Sequence, residues 1–322
     1  MSSQTIEIGG NKDAAGVRSA KKPTVINTFK RDYQLWIMIF PAIAVIFIFN
    51  YIPLYGVQLA FRDYDFSKGI TGGEWRGLYY FDQFINSYLF ADLMKNTFFI
   101  SLATIIIGFP APIILALILN QIRRKKLKQI MQTTVYLPHF ISIIVLVGML
   151  NVLLSPETGI VGYLMKSGGM GDINLLASTT SFIPVYVLSD IWQHCGWNSI
   201  IYLAALSTVD PLLYDSAKMD GASRWQTIRY VDIPAIVPTM IILFILSMGG
   251  ILGTGFEKVF LMQNSLNLPV SEVIATYVYK IGIMSNQFSY AAAIGLFNTV
   301  INFIFLFAVN AIAKRASNMS LF

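Results

Sequence analysis

Residues 210–234 read DPLLYDSAKMDGASRWQTIRYVDIP, and this polar stretch between two apolar blocks decides the fold. Asp210 stands before a proline, which is the pattern of a helix N-cap with proline at the first helical position. Gly221 is a natural end for that helix, and Ser223 begins an S-x-x-Q capping box that starts a second one. We expect Pro234 to close the unit. The sequence thus predicts a helix, a glycine break and another helix.

The chain as a whole is too apolar for an ordinary soluble protein. Hydrophobic residues make up 55% of its 322 residues and charged residues 12%, whereas soluble domains carry about a quarter charged residues. Apolar blocks of about 20 residues are long enough to cross the hydrocarbon layer of a membrane as helices. Six such blocks are found: 34–60, 95–119, 134–154, 182–206, 235–255 and 289–313. We therefore predict an all-α, polytopic membrane protein with six transmembrane helices.

Basic residues are distributed unevenly along the chain. Sixteen of the 23 lysines and arginines fall before the first block, at 123–128, at 218–229 and at 314–315. Positive charge marks the cytoplasmic side because basic flanks resist translocation, so we expect both termini in the cytoplasm. The first 33 residues contain no apolar core of signal-peptide type, and the first span is expected to start insertion itself. The net charge of +6 then reflects topology and not a nucleic-acid partner.

The 207–234 loop is the longest connection expected on the cytoplasmic side, and it has two interpretations. It is either an amphipathic hairpin that rests on lipid or a docking surface for a partner protein. Four acids accompany its basic residues, and they suit an anionic lipid surface poorly: Asp210, Asp215, Asp220 and Asp232. Docking to a protein is therefore the better fit.

Three short elements of this loop resemble the signature of bacterial ATP-binding-cassette (ABC) importer permeases. That signature reads E-A-A, three residues, G, nine residues, I-x-L-P. Here Asp215-Ser216-Ala217 stands for E-A-A, Gly221 follows at the same spacing, and VDIP at 231–234 stands for I-x-L-P. Aspartate in place of glutamate shortens the acidic arm by one methylene.

The resemblance extends beyond the loop. Residues 96–98, NTF, look like the start of the permease core shared by this family, which covers about 90–315. Residues 191–206 resemble the carbohydrate branch. The stretch 255–279 is similar to the subgroup that imports oligosaccharides from acidic polysaccharides such as alginate or pectin.

The resemblance implies a type I ABC importer permease fold in the bacterial inner membrane. It divides the chain into four segments. Residues 1–33 would be a cytoplasmic N-terminal tail, and 34–94 the first transmembrane helix with an outer loop. Residues 95–315 would be the permease core, with five transmembrane helices and the cytoplasmic coupling loop 207–234, followed by a C-terminal tail at 316–322.

The resemblance also implies partners. These are a second, related and non-identical permease subunit, two ATPase subunits, an extracytoplasmic solute-binding protein, a carbohydrate substrate and membrane lipid. The sequence contains no G-x-x-x-x-G-K-[ST], the loop that binds ATP phosphates. ATP and Mg are therefore expected on the ATPase subunits, and this chain is expected to bind no cofactor and to be no enzyme.

The helix pair of the loop is expected to insert into a groove on the ATPase and to convert its closure into tilting of the spans. Asp215 is the expected polar anchor, and Gly221 lets the chain turn between the two helices. The residues predicted to couple this chain to the ATPase are Asp215, Ser216, Ala217, Gly221, Ala222 and Trp225.

A substrate path needs polar and aromatic groups inside the bilayer, and the fourth block supplies them. Asp190, the acid assigned to a span, is costly there by about 2.5–3.5 kcal/mol near the centre. On a helix it shares a face with His194 and Trp197, and Gln193 and Asn198 lie beside them. This face is predicted to line the path. Hydrogen bonds between helices, or pairing of Asp190 with a cation elsewhere, are the alternatives.

Other residues of the blocks favour structural roles. The single cysteine, Cys195, excludes an internal disulfide and is read as a small buried hydrophobe. No metal site is expected, because Asp190 is the only hard ligand near His194. Three asparagines recur at helical spacing on the last span and favour interhelical hydrogen bonds over substrate contacts: Asn298, Asn302 and Asn310. A gate at the outer end of the fifth span could be formed by Phe256 and Glu257.

Three other functions remain in competition. A secondary transporter could use Asp190 and His194 for ion coupling, but it leaves the pattern at 210–238 unexplained. An intramembrane enzyme would need G-x-S-x-G, H-E-x-x-H or paired carboxylates within the membrane, and the sequence contains none of these. A permease of the same superfamily for peptides or amino acids fits residues 192–206 less well.

Overall fold

The computed structural model describes residues 33–169, 174–253 and 255–317. The tails expected at 1–33 and 316–322 therefore lie almost entirely outside the described residues. Within the described ranges the chain is helical, and β-structure is limited to two isolated bridges, Arg62 with Trp75 and Asp65 with Gly69.

The chain forms two compact units, one up to Tyr55 and one from Gly56 onward. Helix α1, Tyr33–Ile46, lies in the first unit. It continues through a π-helical turn, Phe47–Tyr51, and a 3-10 segment, Ile52–Phe61, so that one apolar helix of 29 residues runs from Tyr33 to Phe61. The helix agrees with the first predicted span, 34–60.

The remaining α-helices belong to the second unit. They are α2 Tyr79–Ile85, α3 Phe90–Ala103, α4 Pro110–Asn120, α5 Lys125–Tyr136, α6 Ile143–Leu153, α7 Ile160–Ser167, α8 Phe182–Ser207, α9 Pro211–Met219, α10 Arg224–Thr227, α11 Ile233–Met248, α12 Phe256–Met262, α13 Leu268–Ser271, α14 Ile274–Tyr279 and α15 Phe288–Ser317. Further π turns are Thr104–Gly108, Ile228–Asp232 and Lys280–Met284, and a 3-10 turn is Leu137–Phe140.

Four helices of the described chain are long and apolar enough to cross a membrane, and a bent pair brings the number to five at most. The four are Tyr33–Phe61, Phe90–Asn120, Arg224–Met248 and Phe288–Arg315. Helix α8 has 26 residues and sufficient length, but its polar residues keep it out of this group. The prediction of six spans is thus matched in four blocks, and the third and fourth differ from simple apolar helices.

The third block, 134–154, is not one straight helix. The segment Lys125–Phe140 meets Ile143–Leu153 at an angle of 96°. Pro138 lies just before the bend, where it lacks a backbone donor, and Ile141 is extended at ψ 128°. The side chain of Ser142 caps the new helix by accepting from Val145 N at 3.4 Å. A proline and an N-cap inside an apolar block thus mark a corner.

Proline and π turns occur together in this chain. Three of the four π turns in the described residues end two positions before a proline: Pro53, Pro110 and Pro234. A proline ring clashes with the carbonyl four residues earlier, which in each case belongs to the middle residue of the π turn. A widened turn moves that carbonyl aside, so the helix continues.

The expectation that Pro234 closes the cytoplasmic unit is therefore wrong. Helix α10 passes through the π turn Ile228–Asp232 into α11, and one continuous helix runs over Arg224–Met248. The second coupling helix is the start of the fifth span. That span also ends at Met248, earlier than the predicted 255.

Helix α8 packs against the bent pair through two residues that lie one turn apart. The amide of Gln193, 2% exposed, donates to Ile141 O at 2.8 Å and satisfies a carbonyl freed by the bend. At Gly196 the backbones approach so closely that a Cβ would overlap the carbonyl oxygen of Val135. Gln193 and Gly196 therefore allow α8 to pack closely against the bend between α5 and α6.

A buried asparagine and the threonine after it bind α3 to the segment at 269–274. Asn96 donates to the carbonyl oxygens of Pro269 and Glu272 at 2.8 and 3.1 Å, and Thr97 accepts from Ile274 N at 2.9 Å. The segment between α11 and α15 thus contains short helices that are tied to α3.

Two asparagines of α15 bind the turn that follows α11. Asn302 accepts from Leu252 N at 2.9 Å, and Asn298 donates to Leu252 O at 3.3 Å. Asn310 is buried as well. The two asparagines thus make structural hydrogen bonds, as predicted, but their partner is a turn and not another helix.

We expect Gly196→Ala to lower the stability of the protein by about 1–3 kcal/mol, because the added methyl group forces α8 and α5 apart. Thermal unfolding in mild detergent measures the change. Gly148→Ala in α6 is the matched control, since a Cβ there meets no heavy atom within 4 Å. Equal melting temperatures for the two variants would contradict the close approach at Gly196.

Candidate functional site

A cavity of about 270 Å³ lies between α4, α8 and α11 and the π turn before α4. Three of the five residues predicted for the substrate path line it, at i, i+4 and i+8 of α8: Asp190, His194 and Asn198. Thr104 and Ser247 add hydroxyl groups from two other helices. The free thiol of Cys195 also lies on the wall, so this residue is half-buried beside the cavity and does not lie in the core.

Asp190 forms an ion pair with Lys258, which lies 68 positions away in the sequence. Lys258, in the short helix α12, is 3% exposed, and its Nζ lies 3.3 Å from Asp190 Oδ1. The same ammonium donates to Tyr186 O at 3.0 Å and stands 4.7 Å from the centre of the Tyr186 ring. His194 Nδ1 lies 3.4 Å from the same carboxylate oxygen. The alternative of a cationic partner for Asp190 is thus confirmed.

The other two predicted path residues lie on different faces of α8. Gln193 is occupied with the carbonyl of Ile141. Trp197, half-exposed, stacks on the His139 ring with centroids 4.5 Å apart and an interplanar angle of 6°. His139 also lies 5.5 Å from the His194 ring, centre to centre. The structure therefore joins Asp190, His194 and Asn198, and it separates Gln193 and Trp197 from them.

The coupling loop has the local structure that its sequence predicts. Asp210 accepts from Leu212 N at 2.9 Å as the N-cap of α9. At the other end, Ala222 N donates to Ala217 O and Gly221 N donates to Lys218 O, which together form a Schellman motif. Gly221 has φ +73°, the left-handed conformation that glycine favours.

The start of α10 is fixed by the predicted capping box. Ser223 N donates to Gln226 Oε1 at 2.7 Å, and Gln226 N donates to Ser223 Oγ at 3.3 Å. Each end of the glycine break therefore carries its own hydrogen bonds, and the two short helices meet at a defined corner.

The predicted coupling residues are accessible within this chain. Asp215, Ser216, Gly221 and Trp225 are exposed, and Ala217 and Ala222 are half-buried. Apolar side chains next to them also face outward: Leu212, Leu213, Met219 and Tyr230. Asp215 makes an exposed ion pair of 2.8 Å with Lys218 on the same helix, and a Cβ at Gly221 would meet no heavy atom within 4 Å. The loop thus presents exposed apolar side chains together with charged ones, and Asp215 lies among them.

A buried carboxylate behind this surface was missed by the sequence reasoning. Asp232 is 0% exposed and accepts hydrogen bonds from Tyr214 of α9 at 2.7 Å and from Gln121, which follows α4, at 2.8 Å. Burial and the hydrogen bond to Asp232 raise the pKa of Tyr214 to about 12, so its phenol remains a donor at physiological pH. The only signal in the sequence was an acid directly before an apolar block.

A family described as "Binding-protein-dependent transport system inner membrane component" matches residues 108–318. This chain belongs to that family. The matched region includes the coupling loop, the buried Asp232 and the cavity wall except Thr104 and Ile105.

Two relatives from Bacillus subtilis (strain 168) are similar to the permease over nearly its whole length. Protein LplB is 39% identical over 97% of this chain and 98% of its own. The polygalacturonan/rhamnogalacturonan transport system permease protein YteP is 38% identical over 94% of each chain.

A solved structure has the same fold as this permease. It is a bacterial alginate ABC transporter in complex with an alginate pentasaccharide-bound periplasmic protein. A chain of that complex aligns with a TM-score of 0.83 and 36% identity, over 92% of this chain and 99% of its own. Members of this family are transport subunits and not enzymes. The similarity to the solved structure confirms the expected type I permease fold.

Removal of one member of the Asp190–Lys258 pair should destabilise the permease more than removal of both. We expect Lys258→Met to cost about 2–3 kcal/mol, because it leaves the Asp190 carboxylate without its buried cation. The double variant Lys258→Met/Asp190→Asn should recover most of that loss. Thermal unfolding in detergent measures each variant, and a double variant less stable than Lys258→Met would refute the pairing.

Proposed function

We propose that this chain is one of two membrane-spanning subunits of an ATP-driven importer and forms half of a translocation path for oligosaccharides. Its family, which is described as binding-protein-dependent, supports import with a binding protein. YteP is named for polygalacturonan and rhamnogalacturonan, and the related structure carries alginate on its periplasmic partner. These are acidic polysaccharides, so the substrate proposed here is an acidic oligosaccharide.

The observation that carries the proposal is the pair of short helices α9 and α10. Caps at Asp210 and Ser223 and the Schellman motif at Gly221 make the pair stiff. Its outer surface exposes Met219 and Trp225, at 87% and 69%, and exposed apolar patches of this kind mark sites of protein interaction. A stiff helix transmits displacement, whereas a loose loop would absorb it. The pair is the element that docks on a separate ATPase subunit.

The assembly follows from what this chain lacks. ATP and Mg bind to two ATPase subunits, since the sequence has no phosphate-binding loop. A related, non-identical permease subunit completes the path, and an extracytoplasmic solute-binding protein delivers the substrate.

The chain crosses the membrane six times, with the bent pair and α8 as its third and fourth crossings. Both termini lie in the cytoplasm because basic residues are concentrated on that side, and thiol labelling from either side of the membrane tests this orientation.

The cavity beside α8 is the proposed section of the substrate path in this subunit. Asp190, His194 and Asn198 present hydrogen-bonding groups to it, and sugar hydroxyls need such partners. Trp197 lies outside the cavity and contributes an aromatic ring, on which a sugar can stack. Gln193 supports α8 and does not face the cavity.

Uptake of labelled oligogalacturonate by cells that express the complete importer tests the function. Uptake should collapse when ATP is depleted and survive an uncoupler that removes the proton gradient. The opposite pattern would establish an ion-coupled transporter that uses Asp190 and His194. Uptake of peptides in preference to sugars would indicate a permease for another solute class.

In the same assay, Gly221→Asp should abolish uptake while the protein still inserts and assembles. A side chain at φ +73° costs about 1–2 kcal/mol, and an acid at the corner would also alter the docking surface. Gly169→Asp is the matched control, because Gly169 follows α7, has φ +80° and has no heavy atom within 4 Å of a Cβ. Normal uptake by Gly221→Asp would disprove the coupling role of the corner.

A further inference from the structure

Asp232 is a buried carboxylate that is satisfied entirely by neutral donors from other segments. Its Oδ1 accepts from Tyr214 Oη at 2.7 Å and from Asn120 Nδ2 at 3.3 Å, and its Oδ2 accepts from Gln121 Nε2 at 2.8 Å. No lysine, arginine or histidine of the described residues forms an ion pair with it. A buried charge is tolerated only when hydrogen bonds replace its hydration.

The groups around Asp232 are one phenol and two side-chain amides, and each can donate a hydrogen bond to a carboxylate oxygen. Hydrogen bonds to a charged acceptor are about twice as strong as those between neutral groups.

The contacts of Asp232 connect three segments that are distant in sequence. Asn120 ends α4 and Gln121 follows it, Tyr214 is the residue before Asp215 on α9, and Asp232 ends the π turn that leads into α11. Helix α9 is already joined to α11 through the chain at Gly221. The carboxylate adds a second connection that bypasses this corner and includes α4.

We propose that Asp232 is a positioning residue that fixes the first coupling helix, α9, to the ends of α4 and α11, so that displacement of α9 reaches both spans together. The inference rests on the proposed function and concerns how force passes through this subunit. With its covalent connections alone, to α8 through residues 208–210 and to α10 at Gly221, α9 would pivot at these joints and α4 would not follow. With the carboxylate in place, the three segments move as one body, and α4 carries a wall of the cavity beside Asp190.

The test uses the whole importer in proteoliposomes with its loaded binding protein, and it measures the ratio of oligogalacturonate transported to ATP hydrolysed. Asp232→Asn keeps the shape but turns an amide group toward the donors. We expect assembled complex that still hydrolyses ATP, with a ratio lower by about tenfold, as expected for loss of charge-assisted hydrogen bonds. Tyr214→Phe removes one donor and should lower the ratio in the same direction by a smaller factor.

A double variant distinguishes positioning from general damage. If Asp232 acts through Tyr214, the ratio of Tyr214→Phe/Asp232→Asn should be no lower than that of Asp232→Asn alone. The controls are Asp92→Asn and Tyr163→Phe, which make the same chemical changes at exposed positions on the surface. Both controls should keep the wild-type ratio.

Two results would overturn the inference without touching the proposed function, provided that the wild-type importer shows ATP-driven uptake. One is an unchanged ratio in both Asp232→Asn and Tyr214→Phe. The other is a parallel fall of transport and hydrolysis that follows the amount of assembled complex. Failure of both variants to assemble belongs to this second result. It assigns the carboxylate to folding. Absence of ATP-driven uptake in the wild type would instead refute the proposed function.

Discussion

The structure of the second unit depends on partners for the polar groups inside an apolar bundle. A backbone group without a hydrogen bond costs several kcal/mol in such surroundings, and this chain creates such groups wherever a span bends or ends. Side chains from other helices meet the need: Gln193 binds the carbonyl of Ile141 at the corner of the bent pair, and Asn298 and Asn302 bind both backbone groups of Leu252 beyond the fifth span. The same rule extends to charge, since the buried Lys258 is paired with the half-buried Asp190, and the buried Asp232 has three neutral donors.

Helix α8 connects the polar wall of the cavity with the start of α9. Asp190, in the first half of α8, faces the cavity. The last residue of α8, Ser207, is separated from α9 by only three residues. The close approach at Gly196 and the hydrogen bond of Gln193 seat the middle of α8 against the bent pair. A displacement of α9 therefore has a short physical route to the polar wall of the cavity.

The features that could be predicted from the sequence are those whose chemistry is local. The N-cap at Asp210, the glycine end at Gly221 and the capping box at Ser223 involve residues two to five positions apart, and each is present as expected. The pairing of Asp190 with Lys258 spans 68 positions, and no spacing rule connects them. Pro234 was misread because its local effect, ending a helix, is cancelled by a π turn that propensities do not foresee. Length and hydropathy located the spans at 95–119 and 289–313 well, but they concealed the corner in the third.

Each π turn that precedes a proline has a further consequence for the surfaces of the spans. A widened turn accommodates one residue more than an α-helical turn, so side chains beyond it are rotated by about 100° relative to the regular pattern. The apolar stripe of Phe90–Asn120 thus changes phase at Thr104–Gly108, and a helical wheel drawn through the whole span would assign its second half to the wrong neighbours. Lipid-facing and protein-facing positions have to be read separately on the two sides of each such turn.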